Sequence, residues 1–200
     1  MAQKSRILLI RHGETTMNRS GVLQGRSDLP LNEAGRAQAV RAGSWLAENG
    51  YVFDHVYSSP LIRAKETAQL MTSAALTVDE RLIEMDYGPY EGADLRHPSK
   101  ELLAFFRDFV HHPAPEGMEQ LSSVVERSGR FMEDIRHQEG TILISTHAIA
   151  MKGILEYLTP DSHGSYWNTY VGNCEIYHLE CVDGVYSVPL PLVRFPKEAL

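Results

Sequence analysis

Arg6-Ile7-Leu8-Leu9-Ile10, followed at once by Arg11-His12-Gly13-Glu14, is the stretch that decides the fold. Its unbroken apolar run reads as a short strand buried on both faces, and the polar cluster lies where that strand must end. The same arrangement recurs twice. His55 to Ser58 reads as a strand leading into Ser59-Pro60, and Thr141 to Ser145 as another leading into Thr146-His147. Helical patterns separate these runs. Leu31 to Asn49 carries Ala37, Val40, Ala42, Trp45 and Leu46 at roughly helical spacing and stops at Gly50. A second helix is expected over Pro60 to Ala74, with Ser59 as N-cap and Pro60 as its first residue. Lys100 to His111 and Met118 to Gln138 give two more, parted by Pro113 and Pro115, and Ile149 to Leu158 gives the last. Ile176 to Val182 and Val185 to Val193 flank Asp183-Gly184, the pair that a tight type I′ hairpin turn prefers.

Strands alternating with helices predict a three-layer α/β/α fold with a mostly parallel central sheet, to which the C-terminal hairpin adds an antiparallel edge. A chain of 200 residues, 43% hydrophobic and 22% charged, is expected to form one domain over residues 1–200, with a helical cap insertion at about 93–117. The net charge of −7 opposes nonspecific binding to nucleic acid or to anionic membranes. The apolar run from Ile7 to Ile10 is too short for a signal segment or a membrane span, so the cytoplasm is the expected compartment. Cys174 and Cys181 have neither CxxC nor zinc-site spacing and read as two reduced thiols.

In a parallel α/β sheet, ligands bind beyond the carboxyl ends of the strands. The three polar clusters therefore meet if their strands are parallel, and His12 and His147 then face one crevice. Arg63, in the first turn of its helix, leans toward the same place because helical side chains tilt toward the N-terminus. The competing reading of Arg63 is a solvated arginine paired with Glu66. Metal binding by the histidines competes as well, but no HExxH or clustered His/Asp spacing surrounds His12 or His147.

Leu9-Ile10-Arg11-His12-Gly13-Glu14-Thr15, with Asn18 and Gln24-Gly25, resembles the signature of the histidine phosphatase superfamily, in the branch that includes cofactor-dependent phosphoglycerate mutases. The resemblance continues through Leu29-Pro30-Leu31-Asn32, Ser58-Ser59-Pro60 with Arg63, Leu82 with Glu84 and Gly88, Glu91-Gly92, and Ser145-Thr146-His147, and spans most of residues 6 to 155. It implies that His12 is a nucleophile forming a phosphohistidine and that Arg11, Arg63 and His147 hold the phosphoryl oxygens. It also implies phosphate contacts from Asn18, Gln24, Gly25 and Ala148. Glu84 is the implied acid for the leaving oxygen, with Asp86 a rival and Glu14 more suited to organising the turn. Neither a metal nor a cofactor is implied, because cationic and donor side chains supply what magnesium supplies elsewhere.

Two departures from the family pattern bear on activity. Ala148 stands where most relatives carry glycine, and no Arg-Arg pair occurs to clamp a carboxylated acceptor. The expected activity is therefore hydrolysis of a small phosphorylated metabolite by a metal-independent phosphomonoesterase, with a phosphoglycerate mutase-type phosphotransferase as the alternative. Within the cap, Arg96, His97 and Lys100 are candidates to meet an anionic substrate. Leu102, Leu103, Phe106 and Phe109 to Val110 form an amphipathic stripe better suited to core than to pocket, and His111-His112 reads as a solvated helix end. Tyr166, Trp167 and Tyr170 fit either a pocket wall or the contact surface of a homo-oligomer.

Overall fold

Ile7, Leu8, Leu9 and Ile10 are all fully buried, and alternate residues of the run enter different cores. Strand β1 (Lys4–Arg11) is therefore covered on both faces, as an apolar run without alternation requires. The computed structural model describes residues 3–195, and the ends of the expected 1–200 domain lie outside them. On one face, Ile7 and Leu9 pack with α5 (Leu121–Ile135) and α6 (Ala148–Leu158), through Phe131, Met132, Met151, Ile154 and Leu155. On the other, Leu8 and Ile10 pack with α2 (Glu33–Glu48) and α3 (Ile62–Met71), through Ala39, Ala42, Leu46, Ala68 and Met71. The result is the three-layer arrangement expected.

The sheet runs β3-β2-β4-β1-β5-β6, with β7 paired to β5. Strands β2 (His55–Ser58), β3 (Leu76–Val78), β4 (Gly140–Thr146) and β1 are parallel, whereas β5 (Ile176–Val182), β6 (Val185–Tyr186) and β7 (Leu190–Val193) join antiparallel. Asp183 and Gly184, at φ of 49° and 78°, make the turn between β5 and β6 with the double left-handed geometry of type I′. The register aligns the strand ends. Arg11 lies opposite Thr146 and Ser58 opposite Ser145, so the three polar clusters emerge side by side.

Several boundaries differ from those expected. Helix α3 begins at Ile62 rather than Pro60, and Ser59 is not its N-cap. The Ile62 N–H instead donates to Asp28 Oδ1 at 2.6 Å, so a carboxylate from a distant loop does the capping and leaves Ser59 free for another partner. Helix α4 (Lys100–Arg107), capped by Ser99, stops four residues short of His111, and α5 begins at Leu121 rather than Met118. The short helix α1 (Thr16–Ser20), closed by a Thr15–Asn18 capping box, and strand β3 were not evident from periodicity. The cap forms its own core, in which Leu102, Phe105 and Phe109 pack with Leu23, Met85, Ile149 and Trp167.

The turn after β1 is fixed by a close backbone approach. A Cβ on Gly35 would lie 2.1 Å from Glu14 O, and one on Gly13 would lie 2.5 Å from Gly35 O. Glu14 completes the joint by accepting from Asn32 Nδ2 (2.8 Å) and Arg19 Nε (2.7 Å), while its N–H donates to Gln38 Oε1. Gly35→Ala is thus expected to cost about 1–3 kcal/mol of overpacking, read in thermal unfolding as a fall in Tm of about 2–4 °C per kcal/mol. An unchanged Tm would show that the α2 terminus yields without penalty.

Candidate active site

His12 follows β1, and its N–H donates to Thr146 O at 2.9 Å, which ties it to the end of β4. The imidazole is 3% exposed. Its Nδ1 lies 2.6 Å from Gly13 O, a carbonyl that can only accept, so the ring proton sits on Nδ1 and Nε2 carries the lone pair. Arg63 Nε donates to that Nε2 at 3.2 Å. Burial, followed by the charges of Arg63 and Arg11, holds the His12 pKa well below the ordinary histidine value.

Arg63 is fully buried on the first turn of α3. Its other donors meet Ser27 O (2.7 Å) and Gly25 O (2.6 Å). The alternative pairing with Glu66 does not form, because that carboxylate bonds to Leu31 N–H and Arg36. Burial brings the Arg63 pKa down to about 10, opposed by Glu84, Asp28 and Glu91, so the guanidinium stays charged at neutral pH. His147, the N-cap residue of α6, is also fully buried, with its ring centroid 5.1 Å from that of His12. Its Nε2 lies 2.6 Å from Ser59 Oγ, and burial again lowers its pKa well below the usual range, with Arg63 the next cause. Among the described residues, His147 Nδ1 and Arg11 Nε are buried without a hydrogen-bond partner. An unmet buried polar group costs about 1–3 kcal/mol, which makes each of these nitrogens a candidate to meet an incoming polar group.

A cavity of about 350 Å³ opens over these groups, and Arg11, His12, Asn18, Gln24, Glu84 and Ala148 line it together. Neither Arg63 nor His147 lines it; Arg63 bonds to His12 Nε2, and the His147 ring packs edge-on against that of His12. The Asn18 amide oxygen is engaged by the Thr15 N–H and by Asn173 Nδ2, so Asn18 has its Nδ2 donor to offer. Gln24 Oε1 accepts from Thr15 Oγ1. Gly25 is not brought to the cavity. Its N–H is taken by the Glu91 carboxylate (2.9 and 3.0 Å) and its carbonyl by Arg63, which makes it a brace for the arginine.

Glu84 is 4% exposed at the cavity, and its carboxylate accepts from Met85 N–H (2.9 Å), Ala150 N–H (3.0 Å) and Ile149 N–H (3.3 Å). The rival Asp86 faces away, bound to Arg26 and to Gly88 N–H. Arg96 and His97 are absorbed by Asp94 at the surface, and neither they nor Lys100 lines the cavity. Its outer wall is instead apolar, from Leu95, Phe106, Phe109 and Tyr170, while Trp167 is buried in the cap core. His111 and His112 are exposed, and His111 pairs with Asp108. Among the described residues, no group of three His, Cys, Asp or Glu is placed to hold a metal ion, and no helix is long and apolar enough to cross a membrane.

Ser59 and Lys152 take roles here that the sequence did not indicate. Ser59 was assigned to a helix cap. Lys152 was not singled out, although its position four residues after Ala148, within an apolar helix, puts a cation on the cavity side.

A profile of the histidine phosphatase superfamily (branch 1) matches residues 7–190. The chain belongs to this superfamily. It is 33% identical over 186 residues to a Hydrogenobacter thermophilus protein provisionally named phosphoserine phosphatase 2, covering 88% of this chain and 90% of the relative. It is 31% identical to phosphoglycerate mutase-like protein 4 of Arabidopsis thaliana, over 78% of this chain and 72% of that one. Among solved structures, mycobacterial glucosyl-3-phosphoglycerate phosphatase superposes with a TM-score of 0.76 at 27% identity, covering 87% of this chain and 92% of the other. Membership in the superfamily joins this site to relatives named for both phosphatases and mutase-like proteins.

The histidine environment has a direct pH consequence. A buried histidine whose folded pKa lies well below its unfolded value holds its proton less readily than a free one, so His12 is neutral throughout the neutral range. NMR titration of the His12 ring is expected to give a midpoint well under 6.5. Stability should accordingly decline as pH falls below that unfolded value toward the folded one, since the unfolded chain then takes up protons that the folded site refuses. A midpoint at or above the ordinary value would contradict the burial argument.

Proposed function

We propose that this protein is a metal-independent phosphomonoesterase that hydrolyses a small phosphate ester through a phosphohistidine at His12. The observation that carries this reading is the polarity of the His12 ring. Nδ1 is spent on Gly13 O, while Nε2 presents a lone pair beside the guanidinium of Arg63 and within the Arg11 field. A neutral, oriented imidazole nitrogen surrounded by cations suits attack on an anionic phosphorus centre.

In the first step the Nε2 lone pair forms the P–N bond as the ester P–O bond breaks, and a proton from Glu84 passes to the leaving oxygen. Arg63 gives up its contact with Nε2 and, with Arg11, takes the non-bridging oxygens. In this reading the Ser59 hydroxyl, 2.6 Å from His147 Nε2, donates to it, and His147 contributes a neutral donor from Nδ1. In the second step water attacks phosphorus, Glu84 carboxylate accepts its proton, and the P–N electrons return to His12. Glu84 Oε2 is the better-placed oxygen for this exchange, because Oε1 already holds two backbone N–H groups and Oε2 only a 3.3 Å contact. Hydrolysis is favoured over phosphoryl transfer by the half-open mouth, where Leu95 is 41% and Tyr170 62% exposed, since transfer needs water kept out while an acceptor binds. The cationic side chains supply charge neutralisation, which makes a chelator-insensitive reaction the expected behaviour.

Brief mixing with an aryl phosphate in the presence of chelator, followed by alkaline quench, should leave an acid-labile phosphate on His12, and His12→Ala should carry none. Label on Ser58 or Ser59, or activity abolished by the chelator, would overturn the mechanism.

The proton-transfer assignment has its own test. Glu84→Gln should slow alkyl phosphates by about 10²–10⁴ and aryl phosphates much less in the first step, because an aryloxide departs with little help. Asp86→Asn should leave this leaving-group dependence intact. If it, rather than Glu84→Gln, produced the selective loss, the roles of the two carboxylates would be reversed.

A further inference from the structure

Lys152 is 8% exposed on α6, and its Nζ donates to Trp167 O at 2.8 Å while lying 5.2 Å from the centre of the Phe109 ring. Neither partner is a carboxylate. Among the described residues, no acidic group lies within ion-pair distance of the ammonium. Glu84 acts on it only from farther off, and its carboxylate is already bound by three backbone N–H groups. A buried ammonium normally neutralises or finds a counter-ion, because desolvating an unpaired charge costs several kcal/mol. Here burial brings the pKa only down to about 8, so the group remains cationic at neutral pH. An ammonium has three donors, and the Trp167 carbonyl takes one.

The position of this charge is informative. Lys152 lines the same cavity as Arg11, His12 and Ala148. It sits four residues after Ala148 on one helix, a rise of about 6 Å, and its side chain leans back toward the helix N-terminus. The cavity therefore holds cations at two stations, Arg11 with the buried Arg63 behind His12 at one and Lys152 at the other, with the apolar wall of Leu95, Phe106 and Phe109 beside them. A simple structural link between α6 and Trp167 needs only a neutral donor.

We infer that Lys152 is a second anion-binding group that reads a carboxylate on the organic part of the substrate, so that the cavity selects small phosphorylated carboxylic acids over neutral phosphate esters. This rests on the phosphatase reading of the site and deepens it by naming a substrate class. The phosphoryl group goes to the His12 station and the carboxylate, a few bonds away on the carbon skeleton, accepts the remaining Lys152 donors.

The test uses two probes that differ at one carbon, 3-phosphoglycerate and glycerol 3-phosphate, with binding measured calorimetrically in a His12→Ala background where no turnover occurs. The parent should prefer the carboxylate probe by roughly 10- to 100-fold, the range for a charge-assisted hydrogen bond. Lys152→Met should collapse the preference to near unity, and Lys152→Arg should retain most of it. Lys152→Gln separates charge from scaffolding, since it keeps a donor for the Trp167 carbonyl but should still lose the preference. The inference is overturned if the parent does not prefer 3-phosphoglycerate, or if Lys152→Met or Lys152→Gln preserves the ratio. Failure of the phosphatase reading would show separately, as absence of acid-labile phosphate on otherwise unsubstituted protein, while the binding ratio would still report on Lys152.

Discussion

The burial of Arg63 is the constraint on which the rest of the site depends. A guanidinium wholly removed from water requires acceptors for its donors and opposite charge within reach, or the desolvation penalty of several kcal/mol falls on the fold. The acceptors are Gly25 O, Ser27 O and His12 Nε2. The two carbonyls are presented correctly only because Glu91 accepts the N–H groups of both Gly25 and Ser27, and Gly25 can sit there only without a side chain, since a Cβ would meet Glu91 and Tyr87 at 2.6 Å. A chain of contacts thus runs from Glu91 through the 25–27 loop to Arg63 and then to the His12 ring. Loosening any link frees the arginine, and the imidazole loses the partner that orients its lone pair.

The same burial serves the chemistry from two directions. It drives His12 and His147 toward their neutral forms, which keeps a lone pair at Nε2, and it lowers the local dielectric, in which each cation attracts a phosphoryl group more strongly than in water. The neighbouring cations add to the first effect, since Arg63 and Arg11 both disfavour imidazolium. They oppose protonation of the nucleophile while awaiting an anion, so binding charge and nucleophile activation have one cause. Two of the N-terminal amides of α6, those of Ile149 and Ala150, are bound by Glu84. The charge that meets an anion is therefore carried chiefly by side chains.

The framework was legible because it rests on local signals. Apolar runs ending in polar clusters located β1, β2 and β4, and their parallel register brought His12 and His147 together as the topology required. Helix geometry tilted Arg63 toward the crevice, and the family resemblance weighed against its pairing with Glu66. What sequence did not disclose depended on partners distant along the chain. Ser59 before Pro60 has the form of an N-cap, but Asp28 from another loop takes the Ile62 N–H and the serine hydroxyl goes to His147. Gly25 falls within the family signature yet acts as a brace. Strand β3 shows only three residues, two of them exposed, too few to display a period. Arg96 and His97 looked available to a ligand until Asp94, on the same short segment, engaged both.

Helix α6 joins these levels, because successive groups on its first turns serve different ends of one cavity. His147 backs the His12 ring at the strand end, the amides of Ile149 and Ala150 fix the Glu84 carboxylate, and the Lys152 ammonium meets Trp167 and Phe109 of the cap core. Ile149 belongs to that cap core, whereas Met151, Ile154 and Leu155 belong to the core beneath the sheet. A rigid helix thus sets the spacing between the strand-end histidines and the cap at the scale of its own rise. Variation confined to the cap surface can alter the mouth of the cavity without moving the imidazoles or Glu84. Variation along the inward face of α6 changes both together, which makes this helix the place where substrate recognition and the chemistry beneath it are held in register.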